Sequence, residues 1–138
     1  MSAEFKTLIP LLTFSSKFVE FDSQTLGAGE WLNALQYAGA GQVDEFFIVS
    51  PNTNFKVQIT VDGVVILEKT YDELRAIQQN SRDISAFAEL DEDGNPTGYY
   101  VASVRNIRFS SSIGIKVQNT GGTSTTLRNV FIKHSDRG

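Results

Sequence analysis

The chain has no cysteine, one histidine and three prolines among its 138 residues. Without cysteine there can be no disulfide framework, no thiolate zinc site and no thiol nucleophile. No segment approaches the run of about 18 apolar residues that a membrane span requires. Twelve Lys and Arg stand against 16 Asp and Glu, and a net charge of −4 argues against a nucleic-acid partner. These absences exclude a disulfide-stapled miniprotein and leave neither a membrane nor a nucleic acid as an expected partner.

The length is that of one compact domain. A chain of this size buries roughly 68% of the surface that its unfolded form exposes, so a hydrophobic core can form without metal or disulfide. The first five residues, which include Glu4, do not resemble a secretion signal. We therefore expect a single soluble domain.

Alternating apolar and polar residues predict an all-β fold. Residues Phe55–Val61 alternate without a fault, and Asp62-Gly63 before Val64–Leu67 is typical of a two-residue hairpin turn. Residues Phe46–Val49 are apolar on both faces, which suits a central strand covered on each side or a subunit contact. Further strands are predicted at Lys17–Phe21, Glu30–Tyr37, Asp44–Val49, Ile84–Leu90 and Tyr99–Arg108.

A further hairpin is predicted in the C-terminal half, which brings the total to about nine strands, and one strand there is predicted to contain a bulge. Residues Ile113–Gln118 alternate in the same way, and Asn119–Gly122 supply turn residues before Leu127–Lys133, which predicts a second hairpin. Near Val104 and Arg105 the apolar positions move from even to odd numbers, which indicates a β-bulge.

One segment has the signature of a helix. Thr70 and Glu73 have the spacing of a capping box, in which the hydroxyl and the carboxylate each accept from a free backbone amide. Leu74, Ile77 and Tyr71 then supply an apolar stripe. We predict one short helix that ends by residues 80–81 and covers part of a β-sandwich.

The first 14 residues differ from the rest. Leu8, Ile9, Leu11 and Leu12 are apolar, but Pro10 excludes a continuous helix or an internal strand. We predict an extended arm or edge strand over residues 1–14 and one β-sandwich domain over residues 15–138. As an arm, the segment would dock on a neighbouring subunit, and burying three of its aliphatic side chains would contribute on the order of 5 kcal/mol before ordering costs. The alternative is the first strand of its own sheet.

No residue is predicted to be catalytic, to bind a cofactor or to ligate a metal. Residues Asp91–Pro96 begin like a calcium loop, but the sixth position is Pro96 and the twelfth is Ala102, so a solvated hairpin tip is the better interpretation. His134 is interpreted as a surface or strand-end residue in a terminus that frays. The sequence predicts a protein that is not an enzyme.

Aromatic residues offer another kind of site. Trp31 and Tyr37 lie on a predicted strand between two Gly-Ala-Gly segments, which are typical of turns. Such residues are most often part of a core, but a flat aromatic ring can also bind a sugar or a protein partner. We include Trp31 and Tyr37, with Leu8, Ile9, Leu11 and Leu12, among the candidate interface residues.

The whole chain resembles small virion accessory proteins of tailed bacteriophages, in particular capsid decoration or cement proteins. The residues that carry the resemblance are Gly27–Trp31, Pro51–Val57, Ile59–Gly63, Gly98–Tyr100 and Ile107–Ser110. The resemblance implies a jelly-roll-like antiparallel β-sandwich of eight or nine strands with one short helix. It also implies a structural subunit, commonly a homotrimer, that sits on the capsid surface and contacts the major capsid protein. A carbohydrate-binding β-sandwich of a phage tail or adhesin is the alternative.

Overall fold

The computed structural model describes residues 15–136. This part of the chain forms nine antiparallel strands in two sheets and one short helix, as the sequence predicts. The strands are β1 (Ser15–Leu26), β2 (Trp31–Ala38), β3 (Gly41–Ser50), β4 (Phe55–Val61), β5 (Val64–Thr70), β6 (Ile84–Leu90), β7 (Pro96–Phe109), β8 (Ser112–Asn119) and β9 (Thr125–Asp136). The predicted arm over residues 1–14 lies outside the described residues, as do its contact residues Leu8, Ile9, Leu11 and Leu12.

The strand order is that of a jelly roll with one added strand. One sheet has the order β1-β9-β3-β7-β6, and the other has the order β2-β8-β4-β5. Strands that follow each other in the chain lie in opposite sheets, except in the β4–β5 and β6–β7 hairpins. The added strand is β6, at the edge of the five-stranded sheet. The all-β sandwich predicted from the sequence is therefore the fold of the protein.

The core lies between the two sheets. It is built from the inward positions of the alternating strands, among them Phe46, Ile48, Val57, Ile115 and Ile132. These side chains are fully buried, and their outward neighbours along the strands are partly or wholly exposed, except Val49, which is also buried. Burial of a large aliphatic or aromatic side chain contributes about 1.5–3 kcal/mol, so this layer is the main source of stability. Within residues 15–136, no helix is long and apolar enough to cross a membrane.

The hairpin predicted at Asp62-Gly63 is confirmed. Strands β4 and β5 pair antiparallel from Lys56 opposite Thr70 to Val61 opposite Val64. Asp62 and Gly63 have φ values of 51° and 83°, and a turn with both central residues at positive φ matches the twist of the flanking strands. The register shifts between Ile59 and Thr60.

The predicted C-terminal hairpin is wrong. Strand β8 pairs with β2 and β4 in one sheet, whereas β9 pairs with β1 and β3 in the other. The segment between them crosses from sheet to sheet. Asn119 fixes the crossing, because its side-chain amide donates to the carbonyls of Leu26, Gly27 and Thr123 and its oxygen accepts from the Gly121 N–H. Alternation and turn residues are the same for a hairpin and for such a crossing, so the sequence does not separate them.

The predicted helix is confirmed as α1 (Tyr71–Ile77), followed by a 3-10 turn at Gln78–Asn80. Both capping-box hydrogen bonds are present: the Glu73 N–H donates to the Thr70 hydroxyl, and the Thr70 N–H donates to the Glu73 carboxylate. The hydrogen bonds that the carboxylate accepts from the Thr70 N–H and from the Thr70 hydroxyl hold the pKa of Glu73 below its ordinary value. Tyr71 and Leu74 are buried, so α1 covers the sandwich between β5 and β6.

The phase change predicted near Val104 is present. The inward residues of β7 move from even positions, such as Ala102, to odd positions, such as Ile107, and Asn106 has a positive φ of 60°. The pairing of β7 with β3 keeps one register through this region. This is possible because the inward residues of β3 also change phase there, from odd positions such as Val43 to even positions such as Phe46. The register shift that results is between β3 and β9, after Val43.

Candidate functional site

A shallow groove of about 490 Å³ lies on the outer face of the five-stranded sheet. We call it the outer groove. Its floor is made by Val49 of β3 and Val101 of β7, which are directly paired. Phe47 lies along the floor and Phe87 of β6 stands at one side. These residues are on the outer face because the neighbouring residues along each strand point into the core. The groove is therefore apolar at its base.

Charged side chains close the end of the outer groove next to the β6–β7 turn. The Arg128 guanidinium makes two hydrogen bonds to the Glu89 carboxylate, at 2.9 and 2.6 Å, and lies 4.6 Å from the centre of the Tyr99 ring. Arg128 is on β9 and Glu89 is on β6, so the pair reaches across two intervening strands. The hydrogen bonds from Arg128 lower the pKa of Glu89, and those to Glu89 raise the pKa of Arg128.

A second arginine lies at the opposite end. Arg105 donates to the Arg82 carbonyl at 2.7 Å and to the hydroxyls of Ser85 and Ser103. Glu45 is its cross-strand partner on β3. Both arginines are thus held by bonds within the domain, and the charged groups frame an apolar floor. Such a surface suits aliphatic or aromatic side chains of a partner, because burying them removes apolar area from water on both sides.

The apolar floor continues into three phenylalanines on neighbouring strands. Phe47 of β3 stacks on Phe131 of β9 with ring centres 5.1 Å apart, and Phe131 contacts Phe18 of β1 at 5.8 Å. We call these three residues the aromatic band. Phe18 is 63% exposed, and the Lys133 ammonium lies 6.0 Å from its ring centre. Together the aromatic band and the outer groove give the five-stranded sheet an apolar stripe from its β1 edge to β6.

The structure places the predicted site residues Trp31 and Tyr37 apart. They lie at opposite ends of β2, in the four-stranded sheet. The Trp31 ring is 38% exposed, with the Lys56 ammonium 5.5 Å from its centre. Tyr37 is partly buried and packs edge-on against Phe109 in the core. Neither residue contributes to the aromatic band or to the outer groove.

The four-stranded sheet has a polar outer face along β2 and β8, whereas Val64, Val65 and Ile66 on its edge strand β5 are exposed apolar residues. Trp31 of β2, Gln118 of β8 and Lys56 of β4 form one cross-strand row. A depression of about 280 Å³ lies over Gly114 in another row of the same sheet, because glycine has no side chain to fill it. Amide and ammonium groups beside an exposed indole ring are suited to a ligand that carries hydroxyl groups.

The prediction that His134 lies at the surface of a frayed terminus is wrong. It is 4% exposed within β9, and its Nδ1 lies 2.8 Å from the carboxylate of Asp136, which is 1% exposed. The Lys17 ammonium approaches the other carboxylate oxygen at 3.0 Å, and this contact raises the pKa of Lys17. Tyr37 packs beside the His134 ring. In the described part of the chain this cluster ties the edge strand β1 to β9.

The predicted hairpin tip at Asp91 is confirmed. The Asp91 carboxylate accepts hydrogen bonds from the Asp93 and Asn95 N–H groups, both at 2.9 Å, and Gly94 has a φ of 85°. These bonds define the turn of the β6–β7 hairpin. Residues 15–136 contain no cluster of three acidic or histidine side chains placed to share a metal ion.

Sequence reasoning missed the aromatic band because its members are far apart in the chain. Phe18, Phe47 and Phe131 come from the first, third and ninth strands and meet only through the order β1-β9-β3. The two-sided apolar run at Phe46–Val49 was the one signal that pointed to it. That run does become a central strand with an apolar outer face.

Comparison with protein-family models finds no match, and comparison with curated proteins finds none. Among solved structures, the chain matches catalytic domains of GH87 alpha-1,3-glucanases in complex with nigerose, at 13–14% identity and TM-scores of 0.34–0.35. The matches cover 87–90% of this chain and 28–29% of those chains, so the chain spans less than a third of their length. Similarity of this degree supports no inference about activity.

Proposed function

We propose that this protein is a structural subunit of a phage virion, which decorates the capsid surface and stabilises the head by self-association and contacts with the major capsid protein. A homotrimer is the assembly that we favour, made in the host cytoplasm and then added to the shell. The proposal assigns the chain no catalytic activity and no cofactor. The observation that carries it is the exposed apolar stripe on the five-stranded sheet.

The apolar stripe supports the proposal of protein binding, because its side chains lie outside the core and are not needed to fill it. The core is filled from the inner faces of the two sheets, whereas Phe18 and Phe87 are 63% and 46% exposed on the outside. Contiguous exposed apolar surface is uncommon on monomeric proteins and marks sites of protein association. Aromatic residues are also enriched at the centres of interfaces, where they bury much area with little loss of side-chain freedom.

The architecture agrees with the proposal by analogy. Jelly rolls occur in viral capsid subunits and also in lectins and other binding domains. The fold by itself therefore does not select a function, and the selection depends on the surface. An apolar outer face suits a subunit that binds other proteins.

The proposal is tested by light scattering and by binding to heads. We expect a molar mass above that of one chain at micromolar concentration, and co-sedimentation with phage heads assembled without the protein. Phe47→Ser with Phe131→Ser should abolish both, whereas Lys116→Ser on the outer face of the other sheet should abolish neither. A protein that is monomeric and does not co-sediment with undecorated heads would refute the proposal.

Carbohydrate binding is a second candidate, favoured by the exposed Trp31 ring and its polar row with Gln118 and Lys56. A sugar ring stacked on the indole would have amide and ammonium groups within reach. A glycan array read with the wild type and with Trp31→Ala tests it. Retention that is lost in the folded Trp31→Ala variant would favour this candidate, and an array without signal would exclude it for the glycans present.

A further inference from the structure

We infer that the outer groove receives residues 8–12 from a second copy of this chain. The inference rests on the proposed function, since it specifies how the self-association is built. Its elements are the shape and chemistry of the groove, the sequence of the segment before β1, and the distance that this segment can span.

The segment matches the chemistry of the groove. Leu8, Ile9, Leu11 and Leu12 present four aliphatic side chains within five residues. Above a floor of Val49 and Val101, the groove offers the ring of Phe87, which is 46% exposed, and the partly exposed ring of Phe47. Removing both surfaces from water favours their association.

Pro10 favours a groove over a sheet edge as the acceptor. Proline has no N–H, so a segment centred on Pro10 would interrupt the hydrogen bonds of an added strand. The outer groove lies on the face of a sheet, where the strands beneath are already paired with each other. Binding there depends on side chains, and the missing donor costs nothing.

The length of the segment keeps most of it from the groove floor of its own chain. From Ser15, the rows of paired residues place Val49 seven positions along and two strands across. At 3.3 Å per residue and 4.8 Å per strand, that separation is about 25 Å. Ile9 is six residues from Ser15 and reaches at most about 22 Å from it. Ile9, Leu11 and Leu12 therefore cannot reach the groove floor of the same molecule, whereas no such limit applies to the groove of a neighbour.

Cysteine cross-linking tests the inference cleanly, because the 138-residue chain has no cysteine of its own. Ile9→Cys protein is mixed with tagged Ser85→Cys protein, whose new thiol lies in the outer groove. Ser112→Cys is the matched control: it is also a partly buried serine, and it lines the depression on the opposite sheet. Disulfide formation is followed with time on non-reducing gels.

We expect the mixed disulfide to form at least about tenfold faster with Ser85→Cys than with Ser112→Cys, since a docked segment raises the effective concentration of its thiol. Equal rates in protein that self-associates would overturn the inference and leave the proposed function standing. In a variant that carries both Ile9→Cys and Ser85→Cys, closure within one chain would also overturn it. A strictly monomeric wild type would refute the proposed function itself.

Discussion

The carboxylate of Asp62 accepts a hydrogen bond from the backbone N–H of Ser111 at 2.7 Å. The same oxygen accepts from the N–H of Ser110 and from that of Ser112, at 3.0 and 3.1 Å. One side chain in the β4–β5 turn thus satisfies three consecutive amides, two in the connection between β7 and β8 and one at the first residue of β8. These bonds, above all that from Ser111, hold the pKa of Asp62 below its ordinary value.

Replacing Asp62 should therefore change the response of stability to acid. A carboxylate whose pKa is lowered by folding contributes stability above its unfolded pKa of about 3.9, and the contribution is lost as the pH falls through the folded pKa. We expect Asp62→Asn to melt below the wild type at neutral pH and the gap between them to close in acid. Asn tolerates the positive φ of this position, so the turn itself is kept. A gap that is constant with pH would contradict the prediction.

Ile59→Asp should unfold the domain. Ile59 is fully buried between the sheets, and an unpaired carboxylate there costs several kcal/mol, a large fraction of the stability of a typical domain. The adjacent Thr60 points to the outer face and is partly exposed, so Thr60→Asp is the matched control and should cost far less than Ile59→Asp. Thermal melts followed by circular dichroism measure both, and a native-like melt of Ile59→Asp would show that the inner face is wrongly assigned.

Phe18→Ser should abolish self-association and leave the melting temperature within a few degrees of the wild type. Val64→Ser is the control, because Val64 has the same exposed fraction, 63%, but lies on β5 in the other sheet. Light scattering at matched concentrations distinguishes the two variants. Loss of association in Val64→Ser alone would move the interface from the aromatic band to the edge strand β5.

Deletion of residues 1–13 should leave the sandwich folded and remove self-association and binding to heads. The core side chains described within residues 15–136 come from both sheets and include many that are fully buried. Circular dichroism and light scattering of the truncated protein provide the measurement. If the truncated protein still binds heads as the full chain does, the segment has no part in assembly.

Local chemistry made some elements of the fold predictable. Two residues at positive φ define the turn at Asp62-Gly63, and two reciprocal hydrogen bonds define the start of α1 at Thr70. Each signal is complete within four residues of sequence. The alternation of Phe55–Val61 likewise identifies its inward face correctly, because one side of β4 packs on the core.

Features that depend on the arrangement of the sheets were not predictable in this way. The crossing between β8 and β9 has the same turn residues as a hairpin, and only the pairing partners of the two strands distinguish it. His134 is buried because β9 lies between β1 and β3, a position that its distance from the C-terminus does not reveal. The outer groove likewise exists only once β6, β7 and β3 are adjacent.

The Asn119 side chain has a consequence for the kinetics of folding. Its amide joins the β8–β9 crossing to the Gly27 carbonyl, 92 residues earlier in the chain. That bond closes a loop of 92 residues, two thirds of the 138-residue chain, and closing so long a loop is entropically costly. The formation of contacts between distant residues should therefore limit the folding rate more than the formation of local structure does. Refolding is expected on the millisecond-to-second timescale of strand-rich domains.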